Sequence, residues 1–398
     1  MVAHGFELLE PNIRRDPYEA YARARRTTPV QRVGALNLFL IYRYADVQEI
    51  LRNTEQWARP ETTLRPPGAG AEPSTDDPGR RLRGLLNQVF APRVMPRIIR
   101  EREAHIRTLV ERLLDEALAK GRVDFVDALA SPLPVTVIAE ILGVPLEDRD
   151  RFRAWSNEIT SAPAADLFGR PVDLEHQQRT QGGRQQMYDY FTRMAEQRRA
   201  EPKEDLVTAL VHAEFEGKRV THDEMLEILV LLLIAGNENT TSLVGNAAVQ
   251  FLHRPEVMCD IRRDPDLLAG ALEEVLRYES PFPFDPRIAA RPIELHGVPI
   301  AQGQMVACLL GSANRDETVF DRADEFDIRR SPNRHIAFGF GPHFCLGANL
   351  ARLEARIAFE VLLKRTSKIE LASADPLPLN ESIYLRGFRS IPVLLEAA

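Results

Sequence analysis

Phe338-Gly339-Phe340-Gly341-Pro342-His343-Phe344-Cys345-Leu346-Gly347 is the stretch from which the rest of the chain can be read. Its three glycines let the backbone turn tightly and pass close to whatever it wraps. An amphipathic stretch, residues 348–364, follows at once and predicts a helix, which puts Cys345 at or just before a helix N-terminus. Free N–H groups and the helix dipole at such a place favour a thiolate over a thiol. A thiolate on an apolar glycine loop is a good soft ligand for iron. The other two cysteines, Cys259 and Cys308, lack such neighbours and read as small buried hydrophobes. Three widely spaced cysteines without a CxxC pair exclude a disulfide framework and a cysteine-rich zinc site.

The loop resembles the haem-binding loop of the cytochromes P450, of pattern F-G-x-G-x-H-x-C-L-G. The resemblance extends over nearly the whole chain. It implies a mainly α fold with small β-sheets and a long central helix crossing the haem. It also implies heme b (iron protoporphyrin IX) as cofactor, with Cys345 as the iron ligand and Phe338, Gly339 and Gly347 shaping the loop. Glu274-Val275-Leu276-Arg277 matches the family's E-x-x-R pair, 71 residues before Cys345 and followed by Ser280-Pro281. At i and i+3 on a helix the two side chains share a face and can pair. Glu196/Arg199 and Glu216/Arg219 have the same spacing, so position gives the motif its value. Phe326 to Arg330 resembles the segment that completes this structural ion-pair core, with Arg330 as its third member.

Three basic residues match family positions that hold the haem propionates: Arg83, Arg287 after Pro286, and His343. Cations are what two buried carboxylates require. One departure is visible. Gly79 stands four before Arg83, where the family often has a polar residue, which leaves one propionate short of a partner or dependent on Arg80.

A capping box, Thr221-His222-Asp223-Glu224, opens a helical pattern that runs to about His253, with Pro255 beyond. About 32 residues make a helix roughly 48 Å long. Being apolar on nearly all sides through its middle, it should cross the core of a large domain. Inside it lies a polar island, Ala235-Gly236-Asn237-Glu238-Asn239-Thr240-Thr241, after which apolar residues resume at Leu243. Polar groups inside a buried helix point to function or a filled cavity. The island resembles the family motif A-G-x-[DE]-T-T, whose acid and following Thr deliver protons during oxygen activation. The resemblance implies that Gly236 lets the helix open locally and that Glu238 relays protons. Asn239 stands where the family has Thr. Thr240 belongs to the same polar set but is turned by about 100° and cannot take that place. An amide both donates and accepts, so Asn239 could hold the water that a Thr hydroxyl would hold.

By the same resemblance the substrate pocket takes Ile234, Ala235, Phe282, Pro283, Phe284, Tyr384 and Leu385, and 59–79 and 155–183 match variable lid segments. Read for local pattern alone, 59–79 and 161–183 are irregular loops, while 98–120 and 133–142 are amphipathic or apolar helices. Strand-like segments are 30–33, 38–42, 293–300, 305–310 and 391–395. The expected organisation is one cytochrome P450 domain over 1–398, with a β-rich part at about 1–60, a helical core at about 80–280 and 345–365, and the haem loop at 338–347.

A net charge of -7 disfavours nucleic acid and anionic membrane surfaces as main partners. The N-terminus lacks a secretory pattern, and the longest apolar run, 228–235, is far short of the roughly 20 residues of a membrane span. The expectation is a monomeric cytoplasmic monooxygenase acting on an apolar small molecule. Electrons would come from NAD(P)H through a ferredoxin or flavodoxin and its reductase, since no redox domain is fused to the chain. Two other readings stand beside it. One is haem-thiolate coupling, desaturation or peroxide-driven oxygenation, for which Asn239 is the main support. The other is a haem gas sensor, which would need an output domain.

Overall fold

Thr221 and Glu224 cap each other: the Glu224 N–H donates to Thr221 Oγ1 (3.2 Å) and the Thr221 N–H to Glu224 Oε2 (2.8 Å). From this box a single unbroken helix runs over His222–Leu252. By length and composition it could cross a membrane, and 61% of its most apolar window is buried. The computed structural model describes residues 11–34, 38–60, 83–85, 95–160, 174–215, 217–380, 382 and 384–398. Gly79, Arg80 and most of the two expected lid loops (61–79 and 161–173) lie outside them.

The described helices are α1 (Pro11–Arg15), α2 (Tyr18–Thr27), α3 (Tyr44–Arg52), α4 (Met95–Lys120), α5 (Pro132–Leu142), α6 (Arg149–Thr160), α7 (Leu174–Ala200), α8 (Leu206–Val211), α9 (His222–Leu252), α10 (Pro255–Arg263), α11 (Leu267–Tyr278), α12 (Leu310–Ala313) and α13 (Ala348–Arg365). The strands are β1 (Val30–Val33), β2 (Leu38–Ile41), β3 (Trp57–Ala58), β4 (Arg122–Asp124), β5 (Glu214–Phe215), β6 (Lys218–Arg219), β7 (Asp285–Ala289), β8 (Ile293–Leu295), β9 (Val298–Ile300), β10 (Met305–Cys308), β11 (Thr366–Leu371) and β12 (Pro392–Ala397).

Two compact units are formed. The first contains residues 1–60, 246–348 and 377–389. Its sheet has the order β1-β2-β10-β7-β3, antiparallel except where β10 runs parallel to β2. Leu38–Ile41 is buried at all four positions, as a strand paired on both edges and covered on both faces should be. Phe39, Ile41, Val306 and Cys308 from this sheet pack with Val47, Leu51 and Trp57 in one apolar cluster. The expected strand 293–300 is instead the hairpin β8–β9. His296 (φ 51°) and Gly297 (φ 77°) form its two-residue turn, which needs positive φ at both positions. Cys259, expected to be buried, is exposed on α10, whose inward face is carried by Val257 and Ile261.

The second unit contains residues 61–245, 349–376 and 390–398. Its sheet has the order β11-β12-β4. Most of it is helical. The expected loop is wrong from Leu174 onward, because α7 runs straight through Gly182 and Gly183. A Cβ at Gly183 would meet only the flexible tip of Glu158 on α6, 2.7 Å away, and one at Gly182 nothing within 4 Å, so the packing of α7 against α6 carries the poor helix propensity of both glycines.

Candidate active site

The cysteine loop is closed by its own backbone. The Cys345 N–H donates to Phe338 O (3.0 Å), the Gly339 N–H to Ile336 O (2.9 Å) and the Phe344 N–H to Gly341 O (3.0 Å). Gly339 (φ 74°) and Gly341 (φ 72°) take a conformation that side chains disfavour. At Gly341 a Cβ would also sit 3.0 Å from Arg52 Cα, so the loop rests directly on the α3 backbone. Cys345 is exposed at the end of this fixed turn. Helix α13 starts at Ala348, so the cysteine precedes it by three residues and is not in its first turn. His343 ends a short 3₁₀ turn, Gly341–His343.

Beside the loop lies a charged cluster on β7. Asp285 and Arg287 are two apart on a strand and so share a face. Arg287 is 1% exposed and donates to both Asp285 oxygens (2.5 and 3.0 Å) and to Pro286 O (2.7 Å). Arginine has five N–H donors, and three are used here. The buried Arg287 Nε has no acceptor. A second guanidinium, Arg59, brings Nη2 to 3.7 Å from Asp285 Oδ1. Gly339 of the loop faces Asp285, with 4.0 Å from its Cβ position to Asp285 Oδ2. Neither Asp285 nor Arg59 was singled out in the sequence. The spacing Asp-x-Arg on a strand was the available signal for the first. Nothing local signalled the second.

Phe282, Phe284 and Tyr384 form a wall of nearly parallel rings. Centroids are 5.3 Å apart for Phe284–Tyr384, 6.2 Å for Phe282–Phe284 and 6.5 Å for Phe282–Tyr384. Pro283 joins the two phenylalanines and accepts from the Gly311 N–H through its carbonyl (3.0 Å). Leu385 is buried beside Tyr384 in sequence. Burial pushes the Tyr384 phenol above its ordinary pKa, so it stays a neutral hydrogen-bonding group. Arg386 pins this turn. Its guanidinium donates to Glu279 Oε2 (2.5 Å), Arg14 O (3.0 Å) and Arg15 O (3.1 Å), while its own N–H donates to Pro281 O (2.8 Å).

Also in the first unit, Glu274 and Arg277 are both fully buried. Arg277 donates twice to Glu274 (2.7 and 2.8 Å) and to the carbonyls of Asn314, Ala323 and Glu325, so all five N–H groups are used. Glu274 also accepts from Arg330 Nε (3.2 and 3.3 Å), the Asp327 N–H and Asn333 Nδ2.

In the second unit, Arg83 occupies a helical turn at 83–85 and is half-buried. Along α9, Asn237 and Thr240 are buried, Ile234, Glu238 and Asn239 half-buried, and Ala235 exposed. Asn237 Nδ2 donates to Glu238 Oε1 (3.2 Å) and Thr241 Oγ1 to Asn237 Oδ1 (3.3 Å). The Asn239 carbonyl oxygen is buried and receives no hydrogen bond. The local opening expected at Gly236 is absent: the helix is continuous, and a Cβ there would come 3.1 Å from Ile138 Cγ1 on α5. Close packing is therefore a sufficient reason for glycine. Gly236→Val is expected to lower stability by about 1–3 kcal/mol through overpacking. Urea unfolding measures it, and Ile138→Val in the same chain should recover part of the loss.

An exposed thiol on a rigid glycine loop, beside a buried arginine with N–H groups still lacking acceptors, fits a thiolate-ligated iron porphyrin carrying carboxylates. The comparisons agree. The family model for cytochrome P450 matches residues 12–385. Cytochrome P450 109 of Bacillus spizizenii is 38% identical over 396 residues, covering 97% of this chain and 94% of that one. A steroid C26-monooxygenase of Mycobacterium tuberculosis is 37% identical over 321 residues, covering 80% and 84%. The crystal structure of CYP109E1 from Bacillus megaterium in complex with testosterone superposes with a TM-score of 0.82 at 33% identity, over 95% of this chain and 99% of that one. The chain belongs to the cytochrome P450 family. It is a haem-thiolate monooxygenase with the fold of that family, and its cofactor is iron protoporphyrin IX.

Proposed function

We propose that the protein inserts one oxygen atom from O2 into an apolar small molecule, with electrons supplied from NAD(P)H through a ferredoxin or flavodoxin and its reductase. The observation that carries the reading is Cys345, exposed on a loop locked by the Cys345–Phe338 hydrogen bond and two positive-φ glycines. When bound, the thiolate-ligated haem supplies the oxygen-activating chemistry, because an electron-rich axial sulfur favours O–O cleavage.

The chain's own residues take the following roles. Cys345 holds the iron, and Phe338, Gly339 and Gly347 shape the loop around it. Arg83, Arg287 and His343 hold the propionates. Glu238, half-buried and fixed by Asn237, moves protons. The buried Asn239 oxygen needs a donor, which suits it to hold a water in the proton path. Gly236 and Thr240 complete that stretch of helix. The wall of Phe282, Phe284 and Tyr384, with Pro283, Leu385, Ile234 and Ala235, orients the substrate and excludes water. We infer one cytochrome P450 domain over 1–398, and we place it in the cytoplasm.

A flat polycyclic substrate suits an aromatic wall with a single phenol at its edge. Steroids are the first class to test, because one relative is a steroid C26-monooxygenase and another was solved with testosterone. The experiment is an optical titration of the ferric holoenzyme with testosterone and corticosterone. A saturating shift from low to high spin supports the pocket, and silence across steroids and other polycyclic compounds removes the polycyclic reading and points to a large or carrier-bound substrate or to firmly held water. Glu238→Gln is expected to slow coupled turnover by about 10²-fold with unchanged haem content. Unchanged turnover would take Glu238 out of the mechanism. The buried Asn239 oxygen, at the position where the family has Thr, also keeps peroxide-driven oxygenation in view. Peroxide alone matching the redox-partner rate would favour that reading.

A further inference from the structure

Two arginines in the first unit face each other across paired strands. Strand β3 pairs with β7 through Trp57↔Ala289 and Ala58↔Ile288. Continuing that antiparallel register by one residue sets Arg59 opposite Arg287. Like charges at opposed positions on one sheet face repel, so such a pair persists only where anions balance it. Among the described residues one carboxylate, Asp285, lies between the two cations, and Arg287 already takes both of its oxygens. Arg59 sits 3.7 Å from Asp285 Oδ1, beyond normal hydrogen-bond distance, so it has the attraction without the bond. Its side chain is half exposed, and so remains able to reach a further partner. Arg59, Asp285 and Arg287 taken together therefore carry one positive charge more than negative, close to the Gly339 turn of the cysteine loop, whose Cys345 also acts on Arg59 electrostatically.

We infer that Arg59 is a haem-propionate ligand of this chain, paired with Arg287 on the same carboxylate edge of the porphyrin. The sequence lacks a polar residue at Gly79, where the family often places one for a propionate. Arg59 supplies a cation from a different element, the end of β3, which no motif marks. Asp285 acts between the two guanidinium groups as a spacer: it holds Arg287 bidentately and keeps Arg59 near by charge.

The inference rests on the haem-thiolate reading, and the test separates the two. The holoenzyme, Arg59→Leu and Arg59→Lys are each mixed with excess apomyoglobin, and the rate of haem transfer is followed optically. The same three proteins are then reconstituted with the iron porphyrin dimethyl ester, which lacks the propionate charges. With natural haem, Arg59→Leu is expected to lose haem about 10-fold faster than the parent, one charge-assisted hydrogen bond's worth. Arg59→Lys should stay within about threefold. With the dimethyl ester the difference between Arg59→Leu and the parent should vanish. Equal loss rates with natural haem would overturn the assignment. So would a 10-fold difference that persists with the ester, because Arg59 would then be acting through the Asp285 pair alone. A parent holoenzyme without the red-shifted thiolate band in its reduced carbon monoxide complex would instead sink the haem-thiolate reading itself, and the inference with it.

Discussion

Cys345→Ala is expected to abolish the red-shifted Soret band of the reduced carbon monoxide complex, which reports a thiolate bound to the iron, and with it oxygenase turnover. The size of the effect follows from the cysteine inventory. Cys308 is fully buried in the β10 sheet core, where burial pushes its thiol pKa well up, so it offers no thiolate. Cys259 is exposed, but it sits on the outer face of α10 with no glycine loop around it. No other cysteine exists in the chain. Cys259→Ala should therefore leave the band untouched, and Cys345→Ala should remove it completely rather than weaken it. A band that survives in Cys345→Ala would end the ligand assignment. Protein folded without haem would show as normal far-UV dichroism with no Soret absorption, and would still agree with it.

Glu274→Ala should be the most destabilising single change in the first unit. It leaves Arg277 charged, wholly buried and stripped of two of its five hydrogen bonds. Arg330, the Asp327 N–H and Asn333 lose their acceptor at the same time. Breaking a buried pair by removing one partner costs about 3–5 kcal/mol. That is a large share of the roughly 5–15 kcal/mol by which a folded domain is stable. Urea denaturation of the holoenzyme reads the loss as a lower midpoint with an unchanged slope. Glu274→Gln, which keeps the shape and one acceptor, should lose less. A midpoint within experimental error of the parent would mean that the five carbonyl and carboxylate contacts of Arg277 do not act as one network.

How much of this was readable beforehand depended on how local the cause is. The Thr221 capping box and the 31-residue helix it opens are set by neighbours three and four residues apart, and the sequence shows them directly. The cysteine loop was equally plain, since its glycines and its cysteine lie within ten residues. Helix α7 was misjudged because Gly182 and Gly183 argue against a helix locally, whereas the packing of α7 against α6 that holds it helical is a tertiary fact. The split of 293–300 into a hairpin turned on His296 adopting positive φ, which its residue type allows but does not announce. At Gly236 the helix is continuous, and its contact with Ile138 is a second reason for glycine that no local pattern shows. The Arg59–Asp285–Arg287 cluster depends on the register of β3 against β7 across more than two hundred residues, and no spacing rule reaches that far.

The anchoring of Arg386 has a practical consequence for anyone preparing the protein. Its guanidinium is tied to the carbonyls of Arg14 and Arg15, and the Arg14 side chain reaches back to Asn380 and Ser382 beside the Tyr384 turn. The first described helix, α1, thus braces the turn that carries Tyr384. Affinity tags, fusions or proteolytic trimming that disturb α1 would loosen the Tyr384 turn, and on the pocket proposed above that would show as altered ligand selectivity.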